Sequence, residues 1–505
     1  MRCPFRLLSL TAISASLSLA QQAALSGYVK DPTGAVVPKA NIAVVKTDTA
    51  AKWSTSSSEV GFYEFPSLPP GPYEIHVDKA GFQPLLRGGL TLHIGDRVQM
   101  DLGLSVGTSK EAVTVEGGPE LLNTNDASVS TVIERQTVEN MPLNGRSFQS
   151  LLNLMPGVNP INPSSAGNVQ NAQGQFTVNG QRADANYFMV DGVSANTGVS
   201  SGRFLGQGGT GSLPATTALG GFNGLVSVDA LEEFRMTTST FAPEYGRTPG
   251  GQVLLLTRSG TNSFHGNIFD YFRNTKLDAN DWFLNRAGLP RGAVHQNDFG
   301  GVLGGPIVRD KLFFFLSYEG LRLTNAQPGT SYTFTRDARV LAGQAANTAN
   351  PPYSGYMAQI LNAYPLPAHD PSIGNGSTCT SITTCIAPFT SAFPNVSQLD
   401  SGSARIDYAL NSRMTLYARY GHSPSSTAAH GSLGSINNTG ITLGSDSGTI
   451  GFTHTISPTI NNDLRANYTY TGLRASLTAP PELHRNTGQP FSRWFCTTSR
   501  WVFTE

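Results

Sequence analysis

The side chains best equipped for chemistry are thinly and irregularly placed. The nine histidines are scattered, and no two hold the HxxxH or HExxH spacing that turns two imidazoles toward one metal. His265 and His295 read as loop or lumen residues rather than ligands. No carboxylate pair stands out. Gly206-Gln207-Gly208-Gly209-Thr210-Gly211 matches GxGxxG by letter. A dinucleotide loop needs a strand before it and a helix after it, and this stretch has neither. Cys379 and Cys385 stand six apart in a Ser/Thr-rich stretch, which suits a small loop-closing disulfide better than a metal site. The expectation is a chain that is not an enzyme and calls for no cofactor and no metal.

The composition points to a different kind of work. The 505 residues carry 34 Lys+Arg and 34 Asp+Glu, so the net charge is zero and no general pull on nucleic acid is expected. Charged residues make up only 13%, and the 54 glycines together with Ser, Thr, Asn and Gln fill the gap. Uncharged polar surface and frequent turns suit a β-protein with one wet face. Residues 1–20 read as an export signal: Arg2 and Arg6, an apolar run, then Ser18-Leu19-Ala20 with cleavage after Ala20. Cys3 leaves with that segment. Three cysteines remain for an oxidising compartment, with Cys496 unpaired by this count. No other run approaches the ~20 apolar residues of a membrane-spanning helix. An exported chain of this kind is either soluble or crosses a membrane as a β-barrel.

Residues 24–106 carry short alternating runs divided by turn signals such as Asp31-Pro32-Thr33-Gly34. Tyr73-Glu74-Ile75-His76-Val77 and Val98-Gln99-Met100-Asp101-Leu102 alternate cleanly, and about seven such strands predict a small antiparallel sandwich. The patterns over Gly27 to Val44 and Gly61 to Phe82 resemble the carboxypeptidase regulatory-like, transthyretin-like domain. Its superfamily implies a carbohydrate-binding-like fold, so sugar binding follows by fold analogy alone. Trp53, Tyr63 and Tyr73 either stack on sugars or pack in the core.

Residues 107–118 form a linker. Its string Glu111-Ala112-Val113-Thr114-Val115 is extended and β-prone. It is similar to the segment of TonB-dependent receptors that pairs with a strand of TonB. The other reading is a last strand of the sandwich.

Residues 119–255 mix short strands with short helices. Phe148, Leu151, Leu152 and Met155 hold helical spacing, and Pro156-Gly157 ends that helix. Four motifs follow in order: Asn179-Gly180; Asp191-Gly192 within a Val-Asp-Gly; Glu232-Glu233 within Ala-Leu-Glu-Glu-Phe-Arg; and Tyr245-Gly246 leading to Gly250-Gly251. This order resembles the plug of TonB-dependent receptors of the Oar-like kind. A plug needs a small core and a polar rim, and Glu232, Glu233, Arg235, Glu244 and Arg247 are expected to meet polar barrel walls.

From 256 to 486 strand signals recur between polar loops. Met414, Leu416, Ala418 and Tyr420 share one face, and Thr415, Tyr417 and Arg419 the other. Arg465 and Asn467 split likewise from Leu464, and Ile450, Phe452 and Ile456 from Gly451, Thr453 and Thr455. Apolar-out and polar-in is the transmembrane barrel pattern. Lys311 to Glu319 is apolar on both faces, against that rule. The stretch is long enough for about ten strands with their loops, whereas plugged transporters have about 22. Residues 487–505 lose the alternation, and the chain is expected to be a truncated one.

The predicted fold class is therefore mainly β: a transthyretin-like sandwich, a mixed α/β plug and an incomplete antiparallel transmembrane β-barrel. The resemblance implies an outer-membrane receptor importing a large or scarce solute, with a carbohydrate as one candidate. Its partners would be a TonB-type energy-coupling protein in the periplasm and outer-membrane lipid, with no nucleic acid. The competing reading is an outer-membrane binding or adhesion protein without transport.

Overall fold

The computed structural model of the chain describes residues 22–107, 113–115, 128–141, 148–160, 176–196, most of 214–280, 282–286, 288, 291–349, 364–367, 385–430, 438–457, 460–478 and 499–504. Strands β1 (Ala23–Lys30), β4 (Phe62–Leu68), β7 (Arg97–Gln99) and β8 (Leu102–Gly103) form one sheet centred on β1. Strands β2 (Asn41–Lys46), β3 (Lys52–Ser56), β5 (Gly71–Asp78), β6 (Leu85–Leu92) and β9 (Val113–Val115) form a second sheet in the order β3-β2-β5-β6-β9. The alternating residues turn one face of each sheet inward, so Leu25, Ile42, Ile75, Val77 and Met100 share one core. Tyr63 and Tyr73 lie in that core. Tyr63 Oη donates to the Met100 carbonyl at 2.7 Å, and Tyr73 Oη donates to the Pro69 carbonyl. Trp53 packs edge-on against Tyr73. Burial commits both tyrosines to structure, so they form no sugar-stacking platform. Part of the expected linker is a strand: β9 runs parallel to Leu85–Arg87 at the sheet edge.

The next unit centres on a five-stranded sheet in the order β10-β15-β16-β13-β14, made of β10 (Val129–Glu134), β13 (Tyr187–Val190), β14 (Val193–Ser194), β15 (Leu231–Ser239) and β16 (Gln252–Thr257). A small ribbon of β11 (Val158–Pro160) and β12 (Phe176–Val178) and the helices α1 (Arg135–Asn140) and α2 (Gln149–Leu152) complete it. Phe148, Leu151 and Leu152 pack with Phe234, Met236, Val253 and Leu255. Both predicted glycine turns are present. Asn179-Gly180 and Asp191-Gly192 have successive positive φ values, 49° and 77°, then 48° and 82°. Asn and Asp tolerate this backbone, and glycine adopts it without strain.

Strands β17 (His265–Asn274), β18 (Val294–Val308), β19 (Leu312–Phe334), β20 (Ile386–Asn411), β21 (Met414–His430), β22 (Asn438–Ser457), β23 (Ile460–Thr478) and β24 (Ser499–Thr504) pair antiparallel in chain order. Among the described residues the sheet is open, since β17 pairs only with β18 and β24 only with β23. Eight strands lie among the described residues, where about ten were expected of the whole stretch. β19 has 23 residues and β20 has 26, far more than the ~9–11 that cross a bilayer. Residues 499–504, inside the tail set apart on lost alternation, form β24 against Tyr470–Ala475. Aromatic and β-branched residues there suit a strand edge. The short turns at 309–311 and 412–413 lie at one end of the strands, and the longer stretch 275–293 lies at the other. That asymmetry is the one expected of outer-membrane barrels.

One face of this sheet is greasy and bare. Ile268 is 95% exposed, and Leu316, Ile406, Tyr420, Ile450, Leu464 and Tyr468 are exposed with it. The other face meets the preceding unit. The stretch from Lys311 to Glu319 has a physical account: Leu316 and Tyr318 point outward, while Phe313 and Phe315 are buried inward. Phe315 and Val302 close the apolar core of the five-stranded unit, and Arg258 lies over the Phe315 ring.

Gly27 tests the sandwich packing. A Cβ there would stand 1.8 Å from the Met100 carbonyl oxygen, a backbone atom with little room to yield. Gly27→Ala is expected to destabilise the sandwich by about 1–3 kcal/mol. Protease should then cut within 23–106 at a lower urea concentration than in the parent chain, and an unchanged midpoint refutes this packing.

Candidate plug and barrel contact site

The turn after β13 reaches the inner wall of the large sheet. Asp191 is buried there. Its Oδ1 accepts from the Thr257 amide at 3.0 Å and its Oδ2 from Thr257 Oγ1 at 2.8 Å. Arg405 Nη1, from β20, donates to Asp191 Oδ1 at 3.1 Å, and Arg419 Nε, from β21, stands 3.8 Å from Oδ2. The Asp191 carbonyl accepts from Tyr417 Oη at 2.7 Å and from Arg465 Nη1 at 3.1 Å. One plug residue is thus gripped by four side chains from three strands.

The wall is charge-balanced around that grip. Arg405 also pairs with Asp407 at 2.8 Å, and Arg465 with Asp463 at 2.7 Å. Three guanidiniums therefore face three carboxylates. Arg405 stacks on the Tyr417 ring, 4.7 Å from its centre. Strand register sets Arg405 directly opposite Arg419. Like charges opposite one another are unfavourable, and the carboxylate between them removes the conflict. Two glycines make the fit. A Cβ on Gly192 would stand 1.1 Å from Arg465 Nη1, and one on Gly451 would stand 2.0 Å from the Tyr417 ring.

Beside the grip lies a cleft between the turn and the wall, lined by Ser317, Ser403, Ser447, Thr449, Asn467 and Thr469 among others. These hydroxyls and amides can hydrogen-bond to water as readily as to protein, and Arg419 joins them at the edge of the grip.

The other motif residues divide by role. Asn179 Nδ2 donates to the Thr238 carbonyl at 2.8 Å, tying the Asn179-Gly180 turn to β15. Gly250 and Gly251 let the backbone approach closely, since a Cβ on Gly250 would stand 2.3 Å from the Ala185 carbonyl oxygen. The Gly251 amide donates to Asn186 Oδ1 at 2.9 Å. Gly246 is described, and a Cβ there would meet open space. Tyr245, Glu244 and Arg247 lie outside the described residues, as do Glu111, Ala112, Cys379 and Ala20. Cys385 is buried and disulfide-bonded.

The expected polar rim needs correcting. Glu233 and Arg235 do not meet the barrel wall. Phe234 and Met236 alternate with them and take the core face, so Glu233 and Arg235 take the opposite face, toward His93 and Asp96 of the sandwich. Glu232 pairs with Arg135 at 3.9 Å and Arg258 at 4.0 Å. The wall contacts come instead from Asp191, from Ser227, which donates to Glu319, and from Asp229, which accepts from Asn267 at 2.8 Å. Sequence reading singled out Asp191-Gly192 and placed Tyr417, Arg419 and Arg465 on the inner face, but it did not pair them and did not reach Arg405. The missed signal is Arg405-Ile406-Asp407 and Asp463-Leu464-Arg465, opposite charges two apart on the inner face of outward-greasy strands.

Comparison with known proteins agrees with this architecture. Residues 24–105 match the carboxypeptidase regulatory-like domain, 123–252 the TonB-dependent receptor plug domain, and 256–493 an outer membrane beta barrel domain. The chain thus carries in succession a carboxypeptidase regulatory-like domain, the plug domain of TonB-dependent receptors and an outer membrane beta barrel domain. It is 26% identical over 340 residues to the TonB-dependent transporter Oar of Myxococcus xanthus, covering 65% of this chain and 28% of that one. Among solved structures it is similar to the outer membrane transporter YddB of Escherichia coli, with TM-score 0.44, 11% identity, and 69% of this chain and 39% of that one covered. A mutant of the ferric enterobactin receptor of Pseudomonas aeruginosa gives TM-score 0.42 at 15% identity, over 75% of this chain and 45% of that one. The chain thus spans well under half the length of these relatives.

Removing one member of a buried ion pair leaves the other uncompensated, at about 3–5 kcal/mol. Arg405→Ala and Gly192→Ala are each expected to loosen the seating of the plug. Amide hydrogen exchange within 187–192 and 252–257 should rise in both variants. Exchange equal to the parent's in both would remove the grip on Asp191 from the account.

Proposed function

We propose that this chain supplies the sandwich, plug and part of the wall of a receptor that imports a large or scarce solute across the outer membrane. The observation that carries the reading is the grip on Asp191. It is specific and charge-balanced, and it sits beside a hydroxyl-lined cleft. When the plug shifts, water can solvate the wall groups that Asp191 leaves, so the contact is reversible. A uniformly apolar contact would lack that property.

The energy for the shift would come from a TonB-type protein in the periplasm pairing with 111–115. The strand Val113–Val115 supports this, because it ends its sheet and its outer edge has no strand neighbour among the described residues. An edge strand of this kind accepts a further strand by backbone hydrogen bonding. The sandwich would then face the periplasm, on the side of the short turns. The Asn262 amide donates to the Asp48 carbonyl at 2.9 Å, which places the sandwich beside the connection into β17. The chemistry of the solute stays open, and with Tyr63 and Tyr73 buried neither ring is available to stack on a sugar.

In the full-length receptor, deleting 111–115 should abolish accumulation of the solute inside cells while leaving its binding at the surface. Dissipating the proton-motive force should do the same to the parent receptor. Accumulation that survives both treatments would overturn coupled import, and surface binding with no accumulation at all would leave an adhesion or binding protein.

A further inference from the structure

The sandwich is fastened to the plug at one place that the proposed transport reading does not use. The turn His93-Ile94-Gly95-Asp96 joins β6 to β7. Gly95 has φ 70°, and the His93 amide donates to Asp96 Oδ2 at 2.8 Å. This shape pushes Ile94 outward from its own domain. Ile94 is nevertheless fully buried, because it packs against Met189 and Leu254 on the plug sheet.

Polar contacts surround that apolar pin. Asp96 pairs with Arg235 of β15; the Arg235 side chain is buried and Asp96 is mostly so. The Ile94 amide donates to Glu233 Oε1, and His93 Nδ1 stands 2.8 Å from Glu233 Oε2. His93 Nε2 lies 3.5 Å from a carboxylate oxygen of Glu134 on β10. The charged groups facing His93 are therefore Glu233 and Glu134 from the plug and Asp96 from its own turn, with Arg235 engaged by Asp96. Three carboxylates and one arginine surround the imidazole. The cluster is short of positive charge unless His93 carries a proton.

We infer that the His93–Asp96 turn is a proton-strengthened clasp holding the sandwich on the plug. The hydrogen bond to Glu233, with the nearby carboxylates, raises the His93 pKa above its ordinary value of 6.5, and burial opposes this without prevailing. The sign follows from linkage. A histidine whose pKa is higher docked than free favours docking fully below its free pKa. That contribution is lost as the pH rises through the docked value. The clasp therefore tightens in mild acid and slackens toward alkaline pH. Asp96–Arg235 and the buried Ile94 keep a weaker attachment when His93 is neutral. The clasp belongs to the plug face opposite the Asp191 grip, and it stands whether or not 111–115 is the point of traction.

The test uses the full chain in detergent. Hydrogen exchange is read for 90–97 and 231–239 at pH 6.0 and pH 8.5, with each value corrected for the intrinsic chemical rate. The parent should show several-fold greater protection of both segments at pH 6.0. His93→Gln keeps a neutral hydrogen-bonding side chain and should show the same protection at both pH values, near the parent's alkaline level. Glu233→Gln should flatten the profile independently, covering the case in which the first variant misfolds. Ile94→Ala should lower protection at both pH values while keeping the acid preference. A parent profile without pH dependence, or a dependence unchanged in both His93→Gln and Glu233→Gln, overturns the clasp.

Discussion

Two arginines facing each other across adjacent strands set the terms for this structure. Arg405 and Arg419 are register partners on the inner wall, both withdrawn from water. Neither strand supplies enough negative charge for both, since Asp407 serves Arg405 alone. The missing carboxylate comes from the plug as Asp191, delivered by a turn that only a following glycine allows. Such a buried pair adds little net stability over apolar packing, because desolvation offsets most of the attraction. Its value lies in position: a plug seated one residue out of place would leave three cations and three anions mismatched.

The plug is held differently on each side. Against β20 to β23 the contact is mainly charged or hydroxylic, with one apolar patch where Ala218 meets Ile441, Leu443 and Leu473. Against β18 and β19 it is mainly apolar, with Val302 and Phe315 completing the plug core beside the buried Ser227–Glu319 hydrogen bond. On its second face the plug sheet is covered by Ile94 of the sandwich.

Alternation and turn chemistry made much of this readable from sequence. The inward Tyr417 and Arg419 and the outward Tyr420 and Leu464 follow from period two alone, and both glycine turns follow from their residue types. Pairings across long separations were not readable, because Asp191 lies 214 residues from Arg405 and 274 from Arg465. Alternation places a side chain on a face without saying what that face meets. That is why Glu233 and Arg235 were assigned to the barrel and proved to meet the sandwich. The isolated Ile94 in an otherwise polar turn was the one local sign that another surface covers it. The double-sided apolar run at Phe313–Phe315 was a similar sign, and the plug core explains it.

The strands also define how traction entering near β9 would spread. β9 is held to β6 by only three paired positions, Leu85 to Arg87 against Val113 to Val115. β10 is held to β15 over Val129 to Glu134. A pull along the chain therefore peels the short ladder before it loads the longer one. Beyond β10 the load passes to β15, which carries Glu233 and Arg235, and then to β16, whose Thr257 holds the Asp191 carboxylate. The clasp and the grip are thus two anchors on one ladder, with the clasp nearer the point of entry. A tight clasp shares the load with the sandwich and shields the grip, and a slack one passes it on to Asp191. The protonation of His93 would then set how much force reaches the wall contact without touching that contact at all.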